Sequence, residues 1–199
     1  MSSSEKSDVP PGTLRKAAVV DVPEIHKLIM HYANKRRMLP VSLSRLYECV
    51  RDFFVYELKE GTLPSPKCPS DTPKSRSQRE ASPLLVACGA LHVLWEDLAE
   101  VRSVAVRQDL RGKGIGRVLV EACKEEAKAL RIPRVFCLTY SPRFFQHLGF
   151  REVDKASLPH KIWADCINCP QFPDCAEVPL VCELTPPEGT CPGAPRVVP

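Results

Sequence analysis

Long apolar runs are missing from this sequence: no window approaches the roughly 18 consecutive apolar residues that a membrane-spanning helix requires. The opening MSSSEKSDVPPG also lacks the apolar stretch of a secretory signal, so a cytoplasmic location is expected. Basic residues nowhere run to five in succession and the formal net charge is only +4, which leaves no electrostatic footprint for nucleic acid. Neither nucleic acid nor a membrane is therefore expected as a partner. A local anion site is still compatible with that charge.

What is present describes a globular chain. Hydrophobic residues make up 44% and charged residues 26% of 199, enough for one domain with a buried core and too few for two. Ten of the 20 prolines fall in two polar stretches, five between Gly61 and Pro83 and five between Pro186 and Pro199, that bury too little apolar surface to offset the cost of ordering. The expected organisation is a flexible N-terminus at 1–13, a folded domain at 14–184 with a flexible proline-rich insert at 61–83, and a disordered tail at 185–199. A homodimer stays open.

Periodicity sets out the elements. A first strand is expected at 14–20. The stretch Asp21-Val-Pro-Glu24 reads as a capping box opening a helix whose apolar residues Ile25, Leu28, Ile29 and Tyr32 share one stripe. A short helix is expected at 44–50, then strands at 53–58, 84–95 and 99–106, the last two joined by a tight Glu96-Asp97 turn. A long amphipathic helix follows at 116–130, then a strand at 135–140, a short helix at 144–148, and strands at 150–153 and 178–184. The class is α+β, with both faces of the sheet covered. Cys88, Cys123 and Cys137 fall within apolar segments and read as core.

The stretch from Val101 to Leu119, V-R-S-V-A-V-R-Q-D-L-R-G-K-G-I-G-R-V-L, carries the chemistry. Glycines at 112, 114 and 116 permit close backbone approach and positive φ just ahead of a helix, so successive amides can face one anion. Arg111, Lys113 and Arg117 add charge that suits a diphosphate. A plain connecting turn is the competing reading. The P-loop pattern G-x-x-x-x-G-K-[ST] is absent, and G-x-G-x-x-G fails because these glycines alternate.

Arg111-Gly-Lys-Gly-Ile-Gly116 resembles the R/Q-x-x-G-x-G/A signature of the GNAT superfamily of N-acetyltransferases. Its flanks S-V-A-V, R-V-F-C-L-T-Y and F-F-Q-H-L-G-F match as well. The stretch from Cys88 to Val106, C-G-A-L-H-V-L-W-E-D-L-A-E-V-R-S-V-A-V, is similar to the short stand-alone bacterial N-acetylglutamate synthases. So is L-P-H-K-I-W-A-D-C-I-N-C-P-Q-F-P-D-C, from Leu158 to Cys175. The resemblance covers about residues 14–184.

That resemblance implies a GNAT fold: a mixed, mostly antiparallel sheet flanked by helices, whose central strands 99–106 and 134–140 splay apart. It also implies acetyl-CoA as co-substrate. The pantetheine arm would pair near Val104 and Val106, and the diphosphate would rest on Arg111, Gly112, Lys113, Gly114, Ile115, Gly116 and Arg117. The activity implied is acetylation of the α-amine of L-glutamate, the opening step of arginine synthesis. Other amines (glutamine, a polyamine, a protein N-terminus) and a non-catalytic acetyl-CoA-binding module are the alternatives.

An acceptor ammonium must lose a proton before it attacks, and Glu100 is the candidate base. Period-two geometry places Glu100 and Arg102 on one face. Arg102 suits bidentate capture of a substrate carboxylate, and a structural ion pair between the two is the competing role. Many GNAT enzymes carry a tyrosine where this chain has Phe145, so Tyr140 is the candidate proton donor, against a role as a core aromatic. His92 and Trp95 face opposite ways, so one of them can line the acceptor pocket, with His92 the candidate; a packed side chain is the competing reading for either. Lys161 reads equally well as a surface charge.

The Cys-rich segment at 158–182 contains His160, Cys166, Cys169 and Cys175 in an H-x5-C-x2-C-x5-C pattern. The C-x2-C pair is half of a zinc signature, with Cys182 as an alternative fourth ligand. A structural zinc, a disulfide and free thiols are all compatible with it.

Overall fold

A computed structural model of the chain describes residues 9–59, 83–155, 158 and 175–184. The insert expected at 61–83 (apart from Pro83), the tail at 185–199, and most of 1–13 and of 158–182 lie outside them.

The chain runs β1 (Gly12–Lys16), a 3-10 turn (Val19–Asp21), α1 (Val22–Ala33), α2 (Leu43–Glu48), β2 (Phe53–Leu58), β3 (Leu84–Trp95) and β4 (Leu98–Val106). It continues through α3 (Ile115–Ala129), β5 (Arg134–Thr139), α4 (Pro142–Gln146), β6 (Arg151–Glu152) and β7 (Val178–Glu183). Among the described residues, seven strands form one mixed sheet in the order β1-β2-β3-β4-β5-β7-β6. β1 with β2, β2 with β3, β5 with β7 and β6 with β7 are antiparallel, and β4 with β5 is parallel. The β4–β5 ladder covers only Leu98–Glu100 against Arg134–Phe136. Both strands run on past it, which is the expected splaying.

The chain divides into two compact units, residues 1–90 with 103–120, and residues 91–102 with 121–199. In the first, α1 buries Val22, Ile25, Ile29 and Tyr32 beside Val55, Cys88, Ala90 and Ala105. Tyr56 and Leu58, together with Val86 and Ala87, pack against Leu110, Ile115 and Leu119 at the start of α3. Val55 and Tyr56 are consecutive, so strand alternation sends them to opposite faces and a helix covers each. Each fully buried Ile or Leu contributes about 2 kcal/mol.

In the second unit Leu94, Leu98, Phe136, Leu158 and Val181 form the core, joined by Leu138 and Val153. α4 is held by edge-to-face packing of Phe145 against Phe144 at 5.0 Å and Phe150 at 5.3 Å. The turn after it uses Gly149 at φ +87°, which glycine adopts without strain. Cys88, Cys123 and Cys137 are all buried, as expected.

Two local expectations are corrected. β1 starts and stops earlier than 14–20: its pairing with β2 already begins at Gly12 opposite Leu58 and ends at Lys16 opposite Phe54, and the chain then enters the 3-10 turn. The Asp21/Glu24 capping box does not form, since Asp21 makes no side-chain cap bond to α1. Its carboxylate instead accepts from Ala18 N at 2.7 Å and from Arg15 at 2.7 and 2.8 Å, while Arg15 also donates to Glu57. A bidentate guanidinium outcompetes a helix amide for a buried carboxylate, and it holds Asp21 below the ordinary carboxylate range. Glu24 pairs with Lys27 at 2.6 Å.

Candidate active site

The glycine-rich segment belongs to the first unit. A 3-10 turn at Gln108–Leu110 leads into it, anchored by the buried Leu110 and by Arg107, whose guanidinium donates to both oxygens of Asp109 at 2.7 and 2.6 Å. Gly112 and Gly114 take φ of +76° and +81°. A Cβ on Gly112 would meet nothing within 4 Å, so backbone conformation, not space, calls for glycine there. Gly116 lies in the first turn of α3, close to where the helix is expected to begin, and has no positive φ. Val118 N donates to Gly114 O at 3.2 Å, so the amides of Ile115, Gly116 and Arg117 precede the helical ladder and face out of its end. Arg111, Lys113 and Arg117 are exposed around them. Amides plus unburied cations at a helix start make a site suited to phosphate oxygens.

Immediately upstream, β4 is distorted at Ser103, which has φ +55°. The Cys88 thiol donates to Ser103 O at 3.6 Å and meets the Ala105 amide; burial pushes this thiol up to about 12. Arg107 N donates to Val86 O at 2.8 Å. Ala105 and Arg107 thus turn their amides toward β3, and alternation turns those of Val104 and Val106 the other way. The hydroxyl of Tyr32 donates to Val106 O.

In the second unit, Arg102 Nη1 lies 3.7 Å from Glu100 Oε2, with both side chains largely buried. The structure therefore brings this pair together. His92 is half-buried on β3, and Trp95 is exposed at its end. Tyr140 is half-buried directly after β5, where Thr139 Oγ1 accepts from Ser141 N at 3.0 Å. Phe145 is a buried ring within the aromatic cluster.

Of the proposed metal ligands, His160, Cys166 and Cys169 lie outside the described residues, as does Lys161. Cys175 Sγ donates to Glu177 Oε2 at 3.7 Å, and Lys155 Nζ donates to Cys175 O at 2.7 Å. Cys182 is buried in β7 opposite Val135. Among the described residues no group of three His, Cys, Asp or Glu is placed to hold a metal ion. Likewise no described helix is long and apolar enough to cross a membrane.

Sequence reasoning passed over two polar groups. Glu177 is buried, and burial raises its carboxyl above the usual range against the opposing Cys175 hydrogen bond and Lys155 charge. Nothing in E-V-P-L-V-C signals that, because a charge before an apolar strand reads as solvated. Tyr32 was legible only as part of the α1 stripe, its hydroxyl carrying no sequence signal.

Residues 45–150 match the family model described as the acetyltransferase (GNAT) family. The chain is similar to an amino-acid acetyltransferase of Mycobacterium tuberculosis, with 37% identity over 71% of this chain and 69% of that one. A crystal structure from the same organism, in complex with CoA, superposes with a TM-score of 0.63 at 30% identity, over 87% of this chain and 99% of the other. The N-acetylglutamate synthase of Neisseria gonorrhoeae, solved with CoA and N-acetyl-glutamate, gives a TM-score of 0.70 at 21% identity over 88% of this chain. At that identity the likeness is one of fold, and only 35% of the gonococcal chain is spanned.

Proposed function

Because this chain belongs to the GNAT family of acetyltransferases, we propose that it is an enzyme transferring acetyl from acetyl-CoA to the α-amine of L-glutamate. The observation that carries the reading is the orientation of β4, whose Val104 and Val106 amides turn away from β3 while the same strand leads into the Gly112–Gly116 turn. An extended amide-bearing arm can pair with such an edge as an added strand. The amides of 112–117, with Arg111, Lys113 and Arg117, suit the diphosphate at its far end. Acetyl-CoA supplies the activated thioester.

The chain's own groups then have these roles. Glu100 accepts a proton from the acceptor ammonium, directly or through a water, and so frees the nitrogen lone pair. The Val104 amide faces the thioester oxygen and stabilises charge as it develops there. The new N–C bond replaces the C–S bond, the Tyr140 hydroxyl gives its proton to the departing sulfur, and the second proton that the nitrogen sheds on becoming an amide passes through solvent to restore that hydroxyl. Arg102, held beside Glu100, takes a carboxylate of the amino acid, and His92 lines the same acceptor. The domain 14–184 is the catalytic body, in the cytoplasm, acting on a small amino acid. The zinc reading of His160, Cys166, Cys169 and Cys175 has the support of spacing alone.

Thiol release from acetyl-CoA, followed with glutamate, glutamine, a polyamine and a peptide N-terminus, tests the assignment. Turnover selective for glutamate supports it. Selective turnover with another amine reassigns the acceptor, and tight CoA binding without turnover on any of them replaces the enzyme by a binding module.

A further inference from the structure

Tyr32, seven residues along the apolar stripe of α1, is 7% exposed, yet it is more than packing. Its hydroxyl donates to the carbonyl of Val106, the last residue of β4. The Arg111 guanidinium sits over its ring, 5.9 Å from the centroid. Below it, the carbonyl of Tyr32 accepts from Lys35 N and Arg37 N, both at 3.1 Å, which closes the C-terminal turn of α1. Lys35 then donates to Gln108 Oε1 at 3.0 Å. One side chain thus touches both the end of the strand and the first cation of the glycine-rich turn, and its own backbone anchors a turn that reaches Gln108 between them.

We infer that Tyr32 is a positioning residue for the nucleotide half of the donor: it fixes the Val106 carbonyl and orients Arg111 so that cation and helix-start amides address the same diphosphate. This rests on the diphosphate reading proposed above. The hydroxyl supplies a directed bond, worth a few-fold in affinity when it secures a binding group. The ring supplies a face on which a guanidinium keeps its orientation while its N–H groups stay available to phosphate. Burial pushes the phenol above its ordinary range although Arg111 and Arg37 oppose this, so the hydroxyl remains a donor throughout the neutral range.

The test uses the full chain and two variants, Tyr32→Phe, which keeps the ring, and Tyr32→Leu, which removes ring and hydroxyl. Calorimetry measures CoA affinity, and steady-state assays give KM for acetyl-CoA and for acetyl-pantetheine, a thioester without the nucleotide diphosphate. Affinity for CoA should fall about five-fold in Tyr32→Phe and about twenty-fold in Tyr32→Leu. KM for acetyl-pantetheine should rise clearly less than KM for acetyl-CoA, since that donor meets Val106 but does not use Arg111. Unchanged CoA affinity in both variants overturns the inference, and so does an equal loss on both donors, which marks a general packing defect. Absence of CoA binding by the unaltered chain defeats the diphosphate reading itself, a different result from normal binding that Tyr32 does not influence.

Discussion

The thiol of Cys88 on β3 donates to the carbonyl of Ser103 on β4, at the one residue of that strand with left-handed φ. A buried carbonyl displaced from the regular ladder needs a donor, and the thiol provides it from the neighbouring strand. Cys88→Val should cost about 1–2 kcal/mol in urea denaturation and lower kcat, while Cys88→Ser, which keeps a donor, should retain most activity. Ser103→Gly relieves the left-handed strain and should be neutral to stabilising; Ser103→Val should destabilise by about 2 kcal/mol. Equal stabilities for the two Ser103 variants would show the distortion to be absent in solution.

Gly114→Asp should raise KM for acetyl-CoA about ten-fold or more, because it brings a carboxylate to the helix start where phosphate is to bind. Gly114→Asn separates charge from shape, since asparagine tolerates positive φ and adds no charge. Equal effects from the two would mean that backbone shape alone is at stake.

Glu100→Gln should reduce kcat about a hundred-fold with little change in the donor's KM, and should remove the acidic limb of the pH–rate profile. An unaltered limb takes Glu100 out of the chemistry and leaves it as the partner of Arg102.

Asp21 is held below the ordinary carboxylate range, chiefly by the Arg15 hydrogen bonds. Its stabilising contribution is therefore complete above the unfolded value of about 3.9 and is lost as pH falls through the lower folded value. Asp21→Asn should cost about 1–2 kcal/mol near neutrality, moderated by the partial exposure of Arg15, and less at about pH 3, below the unfolded value, where part of the contribution is gone. Urea midpoints for both proteins at the two pH values check this; a penalty that does not vary with pH would assign it to packing.

How much of this was legible beforehand differs by kind of signal. The α1 stripe through Ile25 and Ile29, the β3–β4 hairpin and the Arg111–Gly116 turn are local patterns, and each appears where periodicity and glycine spacing put it. Features set by long-range partners were not readable. Asp21 looked like a cap because only neighbours are visible in a sequence, whereas Arg15 and Glu57 are brought to it by β1–β2 pairing. Ser103 looked like any strand residue, as distortion there is shared with Cys88, 15 positions away. Glu177 looked solvated, its burial being decided by packing around it.

The position of β7 has a consequence for how the protein is made. β7 lies between β5 and β6, although it is the last of the seven to be synthesised. Until Val178–Glu183 leave the ribosome, the backbone of Arg134–Thr139 has an uncovered side and β6 has no strand to join. Nascent chains halted before this point display a sticky, apolar ribbon, the kind of edge that recruits other chains. Premature termination between Thr139 and Val178 should therefore yield aggregates, not a soluble fragment, which pelleting of products truncated before Val178 and after Leu184 would reveal.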